Sequence, residues 1–221
     1  WKSETTNEFI CVIIKVMNKY NIKLIDKCRT VDWRKTLESK GYVYFSTGKY
    51  NLNLIGVRAK ERDNNEFNDA FIIDYWTGDS RRYTPIYPCT TDPGFKSLEK
   101  PVNFKGCAIL VPGQYRGCFK KGYHKGQYVA LVQHKPVKVF RDANKDFYMD
   151  CDESSIEEGM FGINIHKAGE ASVVVDGWSA GCQVLARGTD FRELMNIVEL
   201  SIPIWGSIFT YTLLEEKDLI I

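Results

Sequence analysis

The spacing of apolar and polar positions changes character along the chain. Residues 7–20 place Phe9, Ile10, Ile13, Ile14 and Met17 on one helical face, the 3.6-residue period of an amphipathic helix. A second helix is predicted over 30–39, with Asp32 as N-cap and Gly41 as stop. From Tyr42 onward the character is that of short strands. β-branched and aromatic runs at 42–45, 52–59, 70–76, 108–111, 128–133 and 137–140 are bounded by Gly, Pro, Asn and Asp. Helical spacing returns over 190–200, behind Thr189 or Asp190 as N-cap. A closing strand over 209–214 alternates Phe, Tyr and Leu with Thr. Residues 78–106, rich in Pro, Gly, Asp and Thr, read as a long surface excursion. The pattern predicts an α+β fold, mainly β. A helical N-terminal segment over 1–41 precedes a β-rich body over 42–221 with one late helix.

Composition narrows the classes. A hydrophobic share of 44% in 221 residues is enough for a real core. The formal charge of +2 is small and no Lys/Arg block occurs, so a nucleic-acid partner is not expected. The apolar run Phe9–Val16 is broken by Lys15 and too short to cross a bilayer. Neither a membrane partner nor a signal peptide is therefore expected. Seven cysteines are present, an odd number with no pair at metal-ligand spacing. They read as mostly reduced thiols of a protein made in a reducing cytoplasm. No cofactor motif is found.

The most informative stretch is 162–185. Gly162-Ile163-Asn164-Ile165-His166 is an apolar strand ending on a histidine, one of three in the chain. Trp178-Ser179-Ala180-Gly181-Cys182-Gln183-Val184 is a small-residue turn that presents a thiol at the mouth of a second strand. A cysteine nucleophile needs a base, and His166 is the natural one. Gly181 permits a tight backbone whose consecutive N–H groups point one way, as an oxyanion requires. The plainer alternative is an inert buried cysteine.

This stretch resembles the L,D-transpeptidase (YkuD-like) catalytic domain, whose signature is a His, a variable loop, then Ser/Thr-His-Gly-Cys. Thr90-Thr91-Asp92-Pro93-Gly94 and Val111-Pro112-Gly113-Gln114-Tyr115 are similar to two further family segments in the same order, so the likeness spans about residues 70–214. Thr91–Gly94, Pro112–Gly117 and Phe161–Lys167 also resemble a group of phage-encoded cell-wall enzymes. The resemblance implies a mixed β-sheet sandwich and a cysteine-dependent peptidase or transpeptidase acting on peptidoglycan stem peptides. Cys182 is then the nucleophile and His166 the base, steered by the backbone carbonyl of Lys167. The N–H groups of Ala180, Gly181 and Cys182 form the oxyanion hole, and Ser179 supports the turn or the substrate. Hydrolysis is favoured over transfer if a phage carries the protein, made in the bacterial cytoplasm to act on the host wall. The chain departs from the pattern at Ala180, where the signature has His, at Val184, where it has Arg or Asn, and at Lys167, where it has a small residue. The alternatives are a cell-wall-binding or virion structural module that keeps the fold without turnover, and a cysteine amidase on another substrate.

Other candidates stand outside the motif. Trp178 is either a wall of the pocket or core. Tyr115, Arg116, Tyr123, His124 and Lys125 are candidates for stem-peptide carboxylates or plain surface. Asp142, Asn144, Asp146, Asp150 and Glu153 match oxygen-ligand positions of a calcium loop, but Phe147 stands where that loop needs Gly. A solvated acidic turn is the preferred reading there.

Overall fold

A computed structural model describes residues 20–62, 65–79 and 81–221. The helix expected over 7–20 lies outside these, apart from Tyr20. Two short helices open the described chain. α1 (Ile22–Arg29) begins on Asn21, whose side chain accepts the Leu24 N–H. α2 (Trp33–Ser39) begins on Asp32, whose carboxylate accepts the Lys35 N–H. The sequence had assigned α2 and its cap but not α1.

Twelve strands follow: β1 (Asn53–Arg58), β2 (Asp69–Trp76), β3 (Arg82–Tyr83), β4 (Ile86–Thr90), β5 (Cys107–Leu110), β6 (Gly113–His124), β7 (Tyr128–Gln133), β8 (Val137–Asp142), β9 (Glu157–Gly159), β10 (Ile165–Lys167), β11 (Gln183–Leu185) and β12 (Ile208–Glu215). The helices α3 (Phe95–Glu99) and α4 (Gly188–Trp205) lie between them. Eight strands pair in the order β1-β12-β6-β7-β10-β11-β4-β2, and β2 pairs again with β1. The sheet thus closes into a barrel, with β3 appended to the end of β2. Strands β5, β8 and β9 form a separate antiparallel sheet.

The expectation of a mainly β α+β fold holds, but the sandwich expectation does not. Strand β1 is hydrogen-bonded on both sides, to β12 in parallel and to β2 antiparallel, so the sheet keeps no edge there. Alternation along a strand reports two faces and is blind to whether the sheet curls shut.

Those two faces are both buried over β1 and β2, which explains their apolar stretches Leu54–Val57 and Ala70–Ile73. The inner face contributes Leu54, Phe71, Ile73, Leu131, Ile165 and Tyr211 to the main core, which Leu194 and Val198 of α4 and Leu110 of β5 complete. The outer face of β1, β2 and β12 presents Ile55, Val57, Ile72 and Leu214, and α1 and α2 cover it with Leu24, Cys28, Trp33 and Leu37. Gly56 faces inward because Tyr211 needs its space. A Cβ there would lie 1.9 Å from the Tyr211 hydroxyl. That hydroxyl donates to Gln183 Oε1 at 2.8 Å.

A buried polar network ties the barrel mouth to the following loops. Arg58 Nε lies 2.9 Å from Asp92 Oδ1, and both side chains are almost fully buried. Arg58 also donates to the Thr91 hydroxyl and to the carbonyls of Thr91 and Leu110. Asp69 accepts from the N–H groups of Ala59 and Thr91 and from the Thr91 hydroxyl. Burial and the neighbouring Asp92 raise its carboxyl to about 6 against those hydrogen bonds.

Three further expectations are corrected. Residues 42–45 are not a strand. Their backbone is held by side chains instead: Asn53 accepts the Phe45 N–H and Gln114 accepts the Val43 N–H. The excursion at 78–106 contains β4, a barrel strand, besides β3 and α3. Helix α4 starts after Arg187 and runs through Pro203 to a Gly206 stop at φ +83°, longer at both ends than expected.

Candidate functional site

Strands β10 and β11 run parallel, with Ile165 opposite Gln183 and His166 opposite Val184. Period-two alternation sends Ile165 and Leu185 into the main core. The opposite side chains, Cys182 and Val184, turn to an outer cluster with Ala168 and Ala186. Asn164 and His166 share that outer side with Cys182. Two residues of strand separate the levels of Cys182 and His166, about 6.6 Å along and about 4.8 Å across the ladder. Both line one cavity of about 620 Å³ on the outside of the barrel.

The turn that presents the thiol is tightly built. Gly181 has φ +125°, and a Cβ there would lie 1.9 Å from the Ala108 carbonyl oxygen. Only glycine fits on both counts. Buried Ser179 holds the turn from beneath: its hydroxyl donates to the Cys182 carbonyl at 2.9 Å and accepts the Gly181 N–H at 3.1 Å. The Gly181 N–H is therefore spent inside the turn and is not available to an oxyanion. The N–H groups of Ala180 and Cys182 have no hydrogen-bond partner among the described residues.

His166 is almost fully buried, and its tautomer is fixed by its neighbours. Nδ1 lies 2.8 Å from the Lys167 carbonyl, which accepts only, so Nδ1 carries the proton and Nε2 the lone pair. The Tyr128 hydroxyl sits 3.3 Å from both that carbonyl and Nδ1. His124 stacks on His166, with ring centroids 4.0 Å apart. Asn164 Oδ1 accepts the Gln133 N–H, so its Nδ2 donates to His124 Nδ1 at 3.0 Å. The stacked rings therefore hold opposite tautomers. Burial, then the His124 ring, drive the His166 imidazole down to about 3 despite the Lys167 carbonyl, and burial lowers His124 as well.

Cys182 opens part of its surface to the cavity, yet its sulfur is closely surrounded by protein. Burial pushes the thiol up, while the Asn164 backbone N–H, 3.5 Å from Sγ, and the Lys125 charge pull it down. Sγ also lies 3.5 Å from the Gly162 carbonyl, which accepts the thiol proton. At rest both groups are neutral, a thiol and an imidazole that line the same cavity with no hydrogen bond joining them.

Of the other sequence candidates, Trp178 and His124 line the cavity. Tyr115 and Arg116 do not. Tyr115 is a packing residue whose hydroxyl lies 2.5 Å from the Val111 carbonyl, and Arg116 is exposed elsewhere on β6. Asn164, Tyr128 and Arg141 were missed. Asn164 was legible as the residue two before His166, hence on its face; Tyr128 and Arg141 carry no such signal.

The acidic loop does not form a cation cage. Asn144 Nδ2 donates to the carboxylates of Asp146 and Asp150 while its Oδ1 accepts the Asp146 N–H, and Asp142 accepts the Asp150 N–H. Glu153 starts a separate 3-10 turn. No cluster of His, Cys, Asp and Glu suited to a metal occurs among the described residues. The six described cysteines are free thiols, and no described helix is long and apolar enough to cross a membrane. No family model, no curated protein and no solved structure matches this chain.

Proposed function

We propose that the protein is a cysteine-dependent acyl-transfer enzyme that cleaves amide bonds of peptidoglycan stem peptides, with hydrolysis favoured over transfer. The observation that carries the chemistry is that Cys182 and His166 line one cavity, with Nδ1 of the ring held by Lys167 so that Nε2 is a free base. In this reading Sγ bonds to the scissile carbonyl carbon as its proton passes to Nε2, and the carbonyl electrons move to oxygen. The Ala180 and Cys182 N–H groups receive that oxyanion. The imidazolium then gives its proton to the departing amine, leaving a thioester that water hydrolyses. The L,D-transpeptidase likeness of the motif supplies the substrate class and the phage-borne, wall-directed setting.

A second reading, a wall-binding or virion module without turnover, is favoured by two observations. Cys182 and His166 are both neutral at rest, and Ala180 stands where the signature has a histidine. Digestion of purified peptidoglycan by the wild type and Cys182→Ala, read by mass spectrometry of released muropeptides, separates the two. Products from the wild type alone support the enzyme. No product from either, across several wall chemistries, supports the module.

A further inference from the structure

The β6–β7 hairpin turns on Lys125 and Gly126, both with positive φ, +49° and +70°. Glycine adopts that conformation freely, whereas a lysine there costs about 1–2 kcal/mol. A residue kept in a strained conformation invites a functional account. The turn directly follows His124, the ring stacked on His166, so it sets Lys125 at the cavity wall. The Lys125 charge is felt at Cys182, His124 and His166 alike.

The rest of the wall has the same sign. Arg141 lines the cavity, and no Asp or Glu does so among the described residues. Arg141 is already engaged, with Nε 3.0 Å from Glu157, which Lys105 also contacts. Lys125 has no ion-pair partner among the described residues. Trp178, Met160 and Phe161 give the cavity an apolar side. An exposed, uncompensated ammonium on the wall of the partly apolar cavity that also holds the nucleophile is a receptor for an anion.

We infer that Lys125 is a specificity residue that receives a free carboxylate on the acyl group delivered to Cys182. The substrate class is thus a peptide with an ionised carboxyl close to the scissile carbonyl. The substrate part rests on the acyl-transfer reading; the anion site does not.

The test uses two probes of one shape and opposite charge state. In both iodoacetate and iodoacetamide the Cys182 thiolate bonds to the methylene carbon and iodide leaves. The ratio of their rates therefore cancels the thiolate fraction and reads the local field. Peptide mass mapping isolates Cys182, and Cys151, 3.0 Å from Arg62, serves as an internal reference in the same sample. In Lys125→Gln the iodoacetate-to-iodoacetamide ratio at Cys182 is expected to fall by about threefold or more, with the Cys151 ratio unchanged. In the wild type, 1 M salt should produce the same fall. An unchanged, salt-independent ratio at Cys182 overturns the anion site. On defined stem peptides, Lys125→Gln should raise KM for the free-acid form and not for the carboxamide form, and equal effects on both overturn the specificity role. Absence of wild-type cleavage of either form counts against the cell-wall reading, while the alkylation ratio still decides the anion site.

Discussion

Acidification should expose the constraint on His166 as a loss of stability that one substitution removes. In the unfolded chain its imidazole takes a proton near 6.5, but in the fold only near 3. Between those values the unfolded state binds the extra proton, so stability rises with pH and is lost as pH falls. From pH 6.5 to pH 4 the loss runs at about 1.4 kcal/mol per pH unit, about 3 kcal/mol in all. Asp69 works in the opposite direction. Its carboxyl is raised from 3.8 to about 6, so the fold gains stability as pH drops through that range. The wild-type curve therefore mixes these with His124, whose imidazole is also lowered, and the difference between wild type and His166→Gln isolates His166. Urea unfolding at pH 7 and pH 4 should show the wild type losing about 3 kcal/mol more than the variant. A direct check is NMR titration of the Cε1 protons. The chain has three histidines, and His→Gln variants assign each. The His166 resonance should stay unshifted down to about pH 4. A midpoint near 6.5, or equal pH slopes for the two proteins, would refute the reasoning.

Two further substitutions test the architecture. Gly181→Ala places a methyl 1.9 Å from the Ala108 carbonyl at a φ of +125°; it should lower stability by about 3 kcal/mol or more in urea unfolding and expose Cys182 to alkylation, and a wild-type-like midpoint would count against the tight turn. Arg58→Met removes the buried charge that offsets Asp69 and leaves Asp92 with Arg62 alone, 3.1 Å away, so it should cost about 3 kcal/mol at pH 7 and less at pH 5, where Asp69 is protonated; a loss that does not shrink with acid would overturn that account.

The strands legible in the sequence were those whose burial is one-sided or complete. β1, β2, β7 and β12 were placed to within a residue or two, because their apolar positions face a core. β6 escaped because Gly113, Gly117 and Gly122 and a pair of lysines break its pattern. Gly122 is there for packing, since a Cβ would lie 2.7 Å from Val132 Cγ2, and local sequence holds no trace of that neighbour. β4 escaped because Pro88 and its polar surroundings read as loop, although Ile86–Thr90 bridges β2 and β11. At the site, Cys182 and His166 were legible as ends of two apolar runs. The spent Gly181 N–H and the outlying positions of Tyr115 and Arg116 were not, because each depends on contacts distant in sequence.

The seam between β1 and β12 bears on how the chain reaches its fold. Leu54 lies opposite Tyr211, so the first barrel strand meets the last in parallel across nearly the whole described chain. Pairing of such distant segments makes folding slow. During synthesis β1 must wait for β12 to leave the ribosome, and until then β1 and β6 each present an unpaired ladder. Premature termination anywhere before Ile208 would leave that gap open permanently and turn a self-closed sheet into a template for intermolecular pairing.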